Sequence, residues 1–206
     1  MLDVTEPAVR RQGTRITVAS SGFALTLEQA KRHLRIEAED TDGDAHVGDL
    51  IASAHRHVEA LLGCPILRQT RQTHAWGFPC GGLWLGGGDN LTVAASAVKY
   101  FDADGAEQTL ADTDWLLDAI SSPAILQCAP GKTWPATQSR PGAVTVDWQA
   151  GWADAASVPG DILHAMRLLI GHWDQNREAV VTGSIASAVQ LTVDALLDPW
   201  RCPAIG

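Results

Sequence analysis

Between Val47 and Leu62 the apolar residues Val47, Leu50, Ile51, Ala54, Val58, Leu61 and Leu62 recur mostly at steps of three and four. On an α-helix that spacing lays them along one stripe. Gly63 ends the helix and Pro65 prevents it from resuming. Burying the larger of these side chains stabilises by roughly 1.5 to 3 kcal/mol each as an upper bound, so another element or another subunit must cover the stripe.

Two further helices are placed to do so. Thr26 can accept from an orphan backbone N–H while Gln29 reaches back, a capping box, and Leu27, Ala30 and Leu34 then share one face. The acidic linker Glu37 to Asp44 joins this helix to the next, giving a helical hairpin over 25–63. Pro159 suits the first turn of a third helix, with Ile162, Ala165, Met166, Leu169 and Trp173 on one stripe and an end near Asn176.

From Ile66 to Ala150 the period changes to two, and Gly, Pro, Asp and Asn punctuate it. Short strands are expected at Ile66 to His74, Val98 to Asp102, Glu107 to Leu110, Trp115 to Asp118, Ala124 to Gln127 and Val144 to Trp148. Asp104-Gly105 supplies the positive φ of a tight hairpin. Gly81 to Gly88 and Pro130 to Gly142 read as loops. The expected class is α+β: a small helical bundle of hairpin, third helix and short C-terminal helix, with a β-rich insertion between the second and third helices. The expected divisions are an N-terminal arm or edge strand at 1–24, the hairpin at 25–63, the insertion at 64–150, the third helix at 151–177 and a C-terminal arm at 178–206. In that arm Val180 to Gln190 is small and β-branched, and a short helix from Val193 to about Leu197 precedes Pro199 and Trp200.

Charge and composition exclude several functions. The 206 residues carry a formal net charge of -9, and only the first 24 are net positive. Without a stripe of Lys and Arg, direct duplex binding is disfavoured. No apolar run approaches membrane-spanning length and no signal segment opens the chain, which points to a soluble intracellular product. Cys64, Cys80, Cys128 and Cys202 are too irregularly spaced for a zinc site or a disulfide framework.

No catalytic, cofactor or metal constellation emerges. Gly131-Lys132-Thr133 lacks the first glycine of a phosphate-binding loop, since Leu126 stands there. Asp40, Asp42 and Asp44 have the opening spacing of a calcium loop, but Ala45 replaces its turn glycine and Ile51 its glutamate. His55 and His57 diverge on a helix, and His164 and His172 have no evident carboxylate partner. The eight tryptophans are the one unusual excess. Trp76, Trp84, Trp115, Trp134, Trp148 and Trp152 fill a core or interface, or alternatively stack on sugar rings in a glycan-binding module.

The order of segments resembles the head-tail connector (adaptor) proteins of tailed phages, including those of phage-derived gene transfer agents. Leu25-Thr26-Leu27-Glu28-Gln29-Ala30-Lys31-Arg32-His33-Leu34-Arg35-Ile36 is similar to the family's opening helix, and Val58-Glu59-Ala60-Leu61-Leu62-Gly63 to the end of its second. Ile66-Leu67-Arg68-Gln69-Thr70 resembles the strand that follows, Tyr100-Phe101-Asp102-Ala103-Asp104-Gly105 the middle hairpin and Arg140-Pro141-Gly142-Ala143-Val144 a late strand. Trp173 to Val180 and Ala195 to Arg201 complete the likeness. The lead-in from Arg10 to Phe23 is longer than usual, and Trp200 stands where a tyrosine is common.

The resemblance implies a structural role without catalysis or cofactor. Copies form a ring, expected to be dodecameric, between the portal and a downstream neck or tail-completion protein. Assembly takes place in the bacterial cytoplasm, and DNA passes the channel without specific binding. Candidate portal-binding residues are Val193, Leu196, Leu197 and Trp200, and candidate ring-interface residues are Arg167, Trp173 and Arg177.

Overall fold

The computed structural model describes residues 12–86, 94–176 and 185–202. They form two compact units, one from residues 12–19 and Gln69–Gly151, the other from Ser20–Arg68 and Trp152–Cys202.

The first unit holds two antiparallel sheets. Five strands, β1 (Gln12–Val18), β2 (Gln69–Ala75), β4 (Ala94–Phe101), β5 (Glu107–Thr109) and β8 (Val144–Ala150), lie in the order β1-β2-β8-β4-β5. Three more, β3 (Leu83–Trp84), β6 (Trp115–Asp118) and β7 (Ile125–Cys128), lie in the order β3-β7-β6. Central β8 explains the arrangement. Its Val144, Val146, Trp148 and Ala150 alternate with polar residues and are wholly buried, as the two-residue period of a strand requires. Leu83, Leu85, Val98 and Leu126 complete that core. The indole N–H of Trp148 donates to Thr73 Oγ1 at 2.9 Å, so this large ring is buried without an orphaned donor.

The sheets exceed the sequence expectation at β3 and meet its edge-strand alternative at the N-terminal segment. Gly81 to Gly88, expected to be a loop, contains β3, paired through Leu83↔Leu126 and Trp84↔Ile125. Two residues are too few to show an alternation, yet Leu83 and Leu85 are buried. The N-terminal segment is an edge strand along β2, from Gln12↔Ala75 to Val18↔Thr70, with an irregularity between Ile16 and Val18. The β4–β5 hairpin turns through Gly105 at φ 86.

In the second unit, α1 (Leu27–Leu34) starts with the full capping box of Thr26 and Gln29. Helix α2 (Asp44–Leu62) ends at left-handed Gly63, whose N–H donates to Glu59 O. Pro159 is the N-cap of α3 (Gly160–Gln175), one position before the helix proper. Val47, Ile51, Ala54, Val58 and Leu62 of α2, and Ile162, Ala165, Met166, Leu169 and Ile170 of α3, are buried. Helix α3 packs against α1, α2 and α4 (Ile185–Leu197). That last helix begins eight residues earlier than the short one expected at Val193. Of the stretch Val180 to Gln190, expected to be small and β-branched, residues 180–184 lie outside the described residues and the rest is helical from Ile185 onward.

Candidate functional site

Several polar side chains of the second unit tie its segments together. Lys31, buried on α1, donates to Ala38 O at 3.0 Å and to Asp40 O, and pairs with Asp44 Oδ1 at 2.8 Å. An ammonium has three donors, and all three are used. The acidic linker is thus a loop wrapped on a lysine rather than an open cation site. The adjacent cleft, about 310 Å³, is lined by Leu27, Glu28, Arg32 and Ile36 with this occupied amine. His55 accepts from Ala24 N–H through Nδ1 at 3.3 Å, and Glu59 Oε1 accepts from Ile66 N–H at 2.8 Å. Both groups are ties between chain segments.

The first unit gives a similar account. Lys132 pairs with Asp114 Oδ1 at 2.7 Å. That hydrogen bond, with the charge attraction, raises the lysine pKa and lowers the aspartate's. Asp102 is held below its usual pKa chiefly by the Gln108 amide, and Asp118 by the Ser121 hydroxyl. These are turn-closing carboxylates. No group of three His, Cys, Asp or Glu residues that could hold a metal occurs among the described residues. No described helix is long and apolar enough to cross a membrane. Of the eight tryptophans only Trp76 is exposed. Trp134 stacks on Phe78 with centroids 4.5 Å apart, and Trp148 lies in the core. A sugar-stacking platform needs open ring faces, and five of the six rings considered for one are buried or half-buried.

The residues singled out for assembly divide by exposure. On α4, Val193 and Leu197 have no accessible surface. They are packed into their own unit and can meet another chain only if the helix leaves α3. Leu196 and Trp200 are half-buried, with Trp200 edge-on to Trp152 at 6.1 Å. Leu191, missed by the sequence reading, is 69% exposed on the same helix. Its signal was present: in a helix starting at Ile185 it lies two positions before buried Val193 and so turns away from the packed stripe.

On α3, Arg167 and Trp173 are half-buried. Trp173 meets the His57 ring edge-on at 5.7 Å, and Arg167 lies beside His33. Arg177 lies outside the described residues. The remaining large exposed apolar side chains include Ile16 and Val18 on β1, Leu116 on β6 and Ile120 just beyond it. What the described surface offers is therefore apolar side chains and open sheet edges, the chemistry of protein contacts.

No protein-family model matches the chain, and no curated protein matches it. Solved structures do. A chain of the virion of a native gene transfer agent particle superposes with a TM-score of 0.73 at 21% identity, over 93% of this chain and 96% of that one. A chain in the neck of an empty gene transfer agent particle, computed with C6 symmetry, gives 0.72 at 23% over the same shares. One in the neck of a native particle, computed with C12 symmetry, gives 0.65 at 20%. This chain shares their fold over 93% of its length.

Proposed function

We propose that the protein is a head-tail connector (adaptor) subunit of a phage or phage-like particle. It forms a ring, dodecameric in this reading, between the portal and the next neck or tail-completion protein, and acts without catalysis or a cofactor. The observation that carries the proposal is the likeness of fold to chains of gene transfer agent virions and necks, at 93% and 96% coverage. The match spans nearly the whole of both chains, which supports reading the chain as one structural subunit. The exposed apolar side chains and the committed polar groups support it, because contact area rather than a reactive centre is what this surface supplies.

Docking on the portal is assigned to the C-terminal segment, through Leu191, Leu196 and Trp200, with Val193 and Leu197 holding the helix. Aromatic and large aliphatic anchors typically dominate such contacts. Arg167 and Trp173 on α3 are proposed for the contact between ring neighbours. The test is deletion of the gene in a strain that produces the particle. The expected result is DNA-filled heads without tails in negative-stain images, restored by the gene in trans. Tailed, infectious or transducing particles from the deletion strain would remove the connector reading.

A further inference from the structure

The five-stranded sheet has two open edges, β1 and β5, and they differ in charge. Each pairs on one side only, β1 with β2 and β5 with β4. Among the described residues no backbone group hydrogen-bonds to the outer side of either strand. Open edges invite pairing, and monomeric proteins commonly guard them with lysine, proline or inward-pointing charges. β1 reads Gln-Gly-Thr-Arg-Ile-Thr-Val, with no lysine, proline or acid, and its irregularity comes only after Ile16. Ile16 is 53% and Val18 60% exposed. Ile16 pairs with Arg71, on the face that carries Thr73 and Trp148. The apolar side of the sheet thus runs out to the edge and stops there uncovered.

Charge completes the picture. β1 itself carries Arg15 and no acidic residue. At the other edge, Asp102 to Asp114 has five acidic residues and no basic one. Glu107, on β5 itself, is exposed and has no ion pair among the described residues. Two β1 edges meeting would bring like charges together, whereas a β1 edge and a β5 edge are complementary. Because every neighbouring pair in the sheet is antiparallel, β1 and β5 run in the same direction. A copy related by rotation can therefore lay its β5 alongside β1 in parallel. Such a contact is heterologous, the kind that closes into a ring.

We infer that β1 of one copy pairs with β5 of the next, continuing one sheet from subunit to subunit, with Arg15 set against the acidic β5 hairpin. This rests on the ring reading above and specifies a contact for it. The partner is a second copy of this chain, recognised by strand addition and opposite charge.

The test uses the full chain with the portal of the same particle, observed by native mass spectrometry and negative stain. Glu107→Arg should abolish rings while leaving the melting temperature unchanged; Arg15→Glu should abolish them with a small fall in melting temperature, because the guanidinium also donates to Gln72 Oε1; and the double variant should restore rings. In a Cys80→Ser background, Arg15→Cys mixed with Glu107→Cys should give covalent dimers on mild oxidation, and neither alone should. Rings that survive both charge reversals, or covalent dimers from Arg15→Cys alone, overturn the strand pairing while leaving the connector reading intact. Absence of rings in the unsubstituted protein with portal counts against both.

Discussion

Lys31 shows how one side chain organises a segment that looks unstructured in sequence. Removing its amine strands Ala38 O, Asp40 O and the Asp44 carboxylate, and breaking a largely buried pair costs a few kcal/mol. Lys31→Ala is expected to lower stability by about 3 kcal/mol in urea denaturation, whereas Arg32→Ala, whose pair with Glu28 is exposed, should change it by less than about 0.5 kcal/mol. Equal effects would contradict the role given to Lys31. Two glycines make a second contrast. Both have positive φ, Gly82 at +88 and Gly131 at +77, but a Cβ on Gly82 would sit 2.7 Å from Leu126 O, while Gly131 has nothing within 4 Å. Gly131→Ala should cost about 1 kcal/mol, and Gly82→Ala several times that because β3 must shift away from β7. Two histidines contribute to the response to mild acid. Burial, then the Arg167 charge, lowers the His33 pKa, and burial, then Arg15, lowers that of His74, with Asp147 opposing. A depressed histidine is neutral in the fold while the unfolded chain takes up a proton. Stability is therefore complete above the ordinary histidine value of about 6.5 and declines as pH falls through it to the folded values. Melting temperature should drop on acidification across that window, and His33→Gln should flatten part of the slope. An identical slope in the variant would exclude His33 as a contributor.

At the level of elements, legibility followed the strength of the periodic signal and the presence of stops. Helix α2 was readable because its stripe runs the whole element and Gly63 and Pro65 close it. The α1 capping box was readable because two polar side chains three residues apart suffice to define it. Helix α4 was read short because Ile185 to Gln190 lacks a polar face to set against an apolar one, and its packing partner α3 lies ahead of it in the chain. Strand β3 was missed because glycines surround it and two residues carry no period. The buried lysine left no sequence mark, since a charged residue on an amphipathic helix is ordinarily solvated. The assembly candidates were legible as apolar residues of the right type, but their facing was not. Leu197 is fully buried and Leu191 is exposed on the same helix, a difference that could be read only once the helix was known to start at Ile185. Leu197→Ala is accordingly expected to cost about 2 to 5 kcal/mol through lost transfer energy and a cavity, and Leu191→Ala less than about 0.5 kcal/mol. Chemical denaturation of the two variants measures the difference, and a Leu197→Ala protein as stable as its parent would mean that α4 is not packed as described.

For the whole molecule, the charge of -9 and the apolar surface of α4 lead to separate expectations. A ring of such subunits around DNA would repel phosphates, so the purified protein should leave duplex mobility unchanged in a gel even at low salt, where attraction would be strongest. Retardation that fades as salt is added would show a basic surface that the sequence lacks. Portal docking needs a surface that is free while the fold is intact. Val193 and Leu197 do not meet that condition, whereas Leu191 does and Leu196 and Trp200 do in part. Deleting Val193 to Gly206 therefore cannot isolate docking, because it also removes two buried side chains from the second unit and should lower the melting temperature. Leu191→Glu separates the two effects. It places a charge on an exposed position, leaves the α3 contact untouched and should keep the parent's melting temperature and helical signal. If α4 meets the portal, that charge is desolvated at the contact, and truncating or charging one anchor of this kind commonly costs 2 kcal/mol or more, roughly thirtyfold in affinity per subunit. Several subunits engaged at once multiply the loss through avidity. Co-sedimentation with portal should then disappear for Leu191→Glu and persist for Leu116→Glu, another exposed leucine, on β6 in the other unit. Retention of portal binding by Leu191→Glu, with Leu116→Glu abolishing it, would move the docking surface from α4 to the three-stranded sheet.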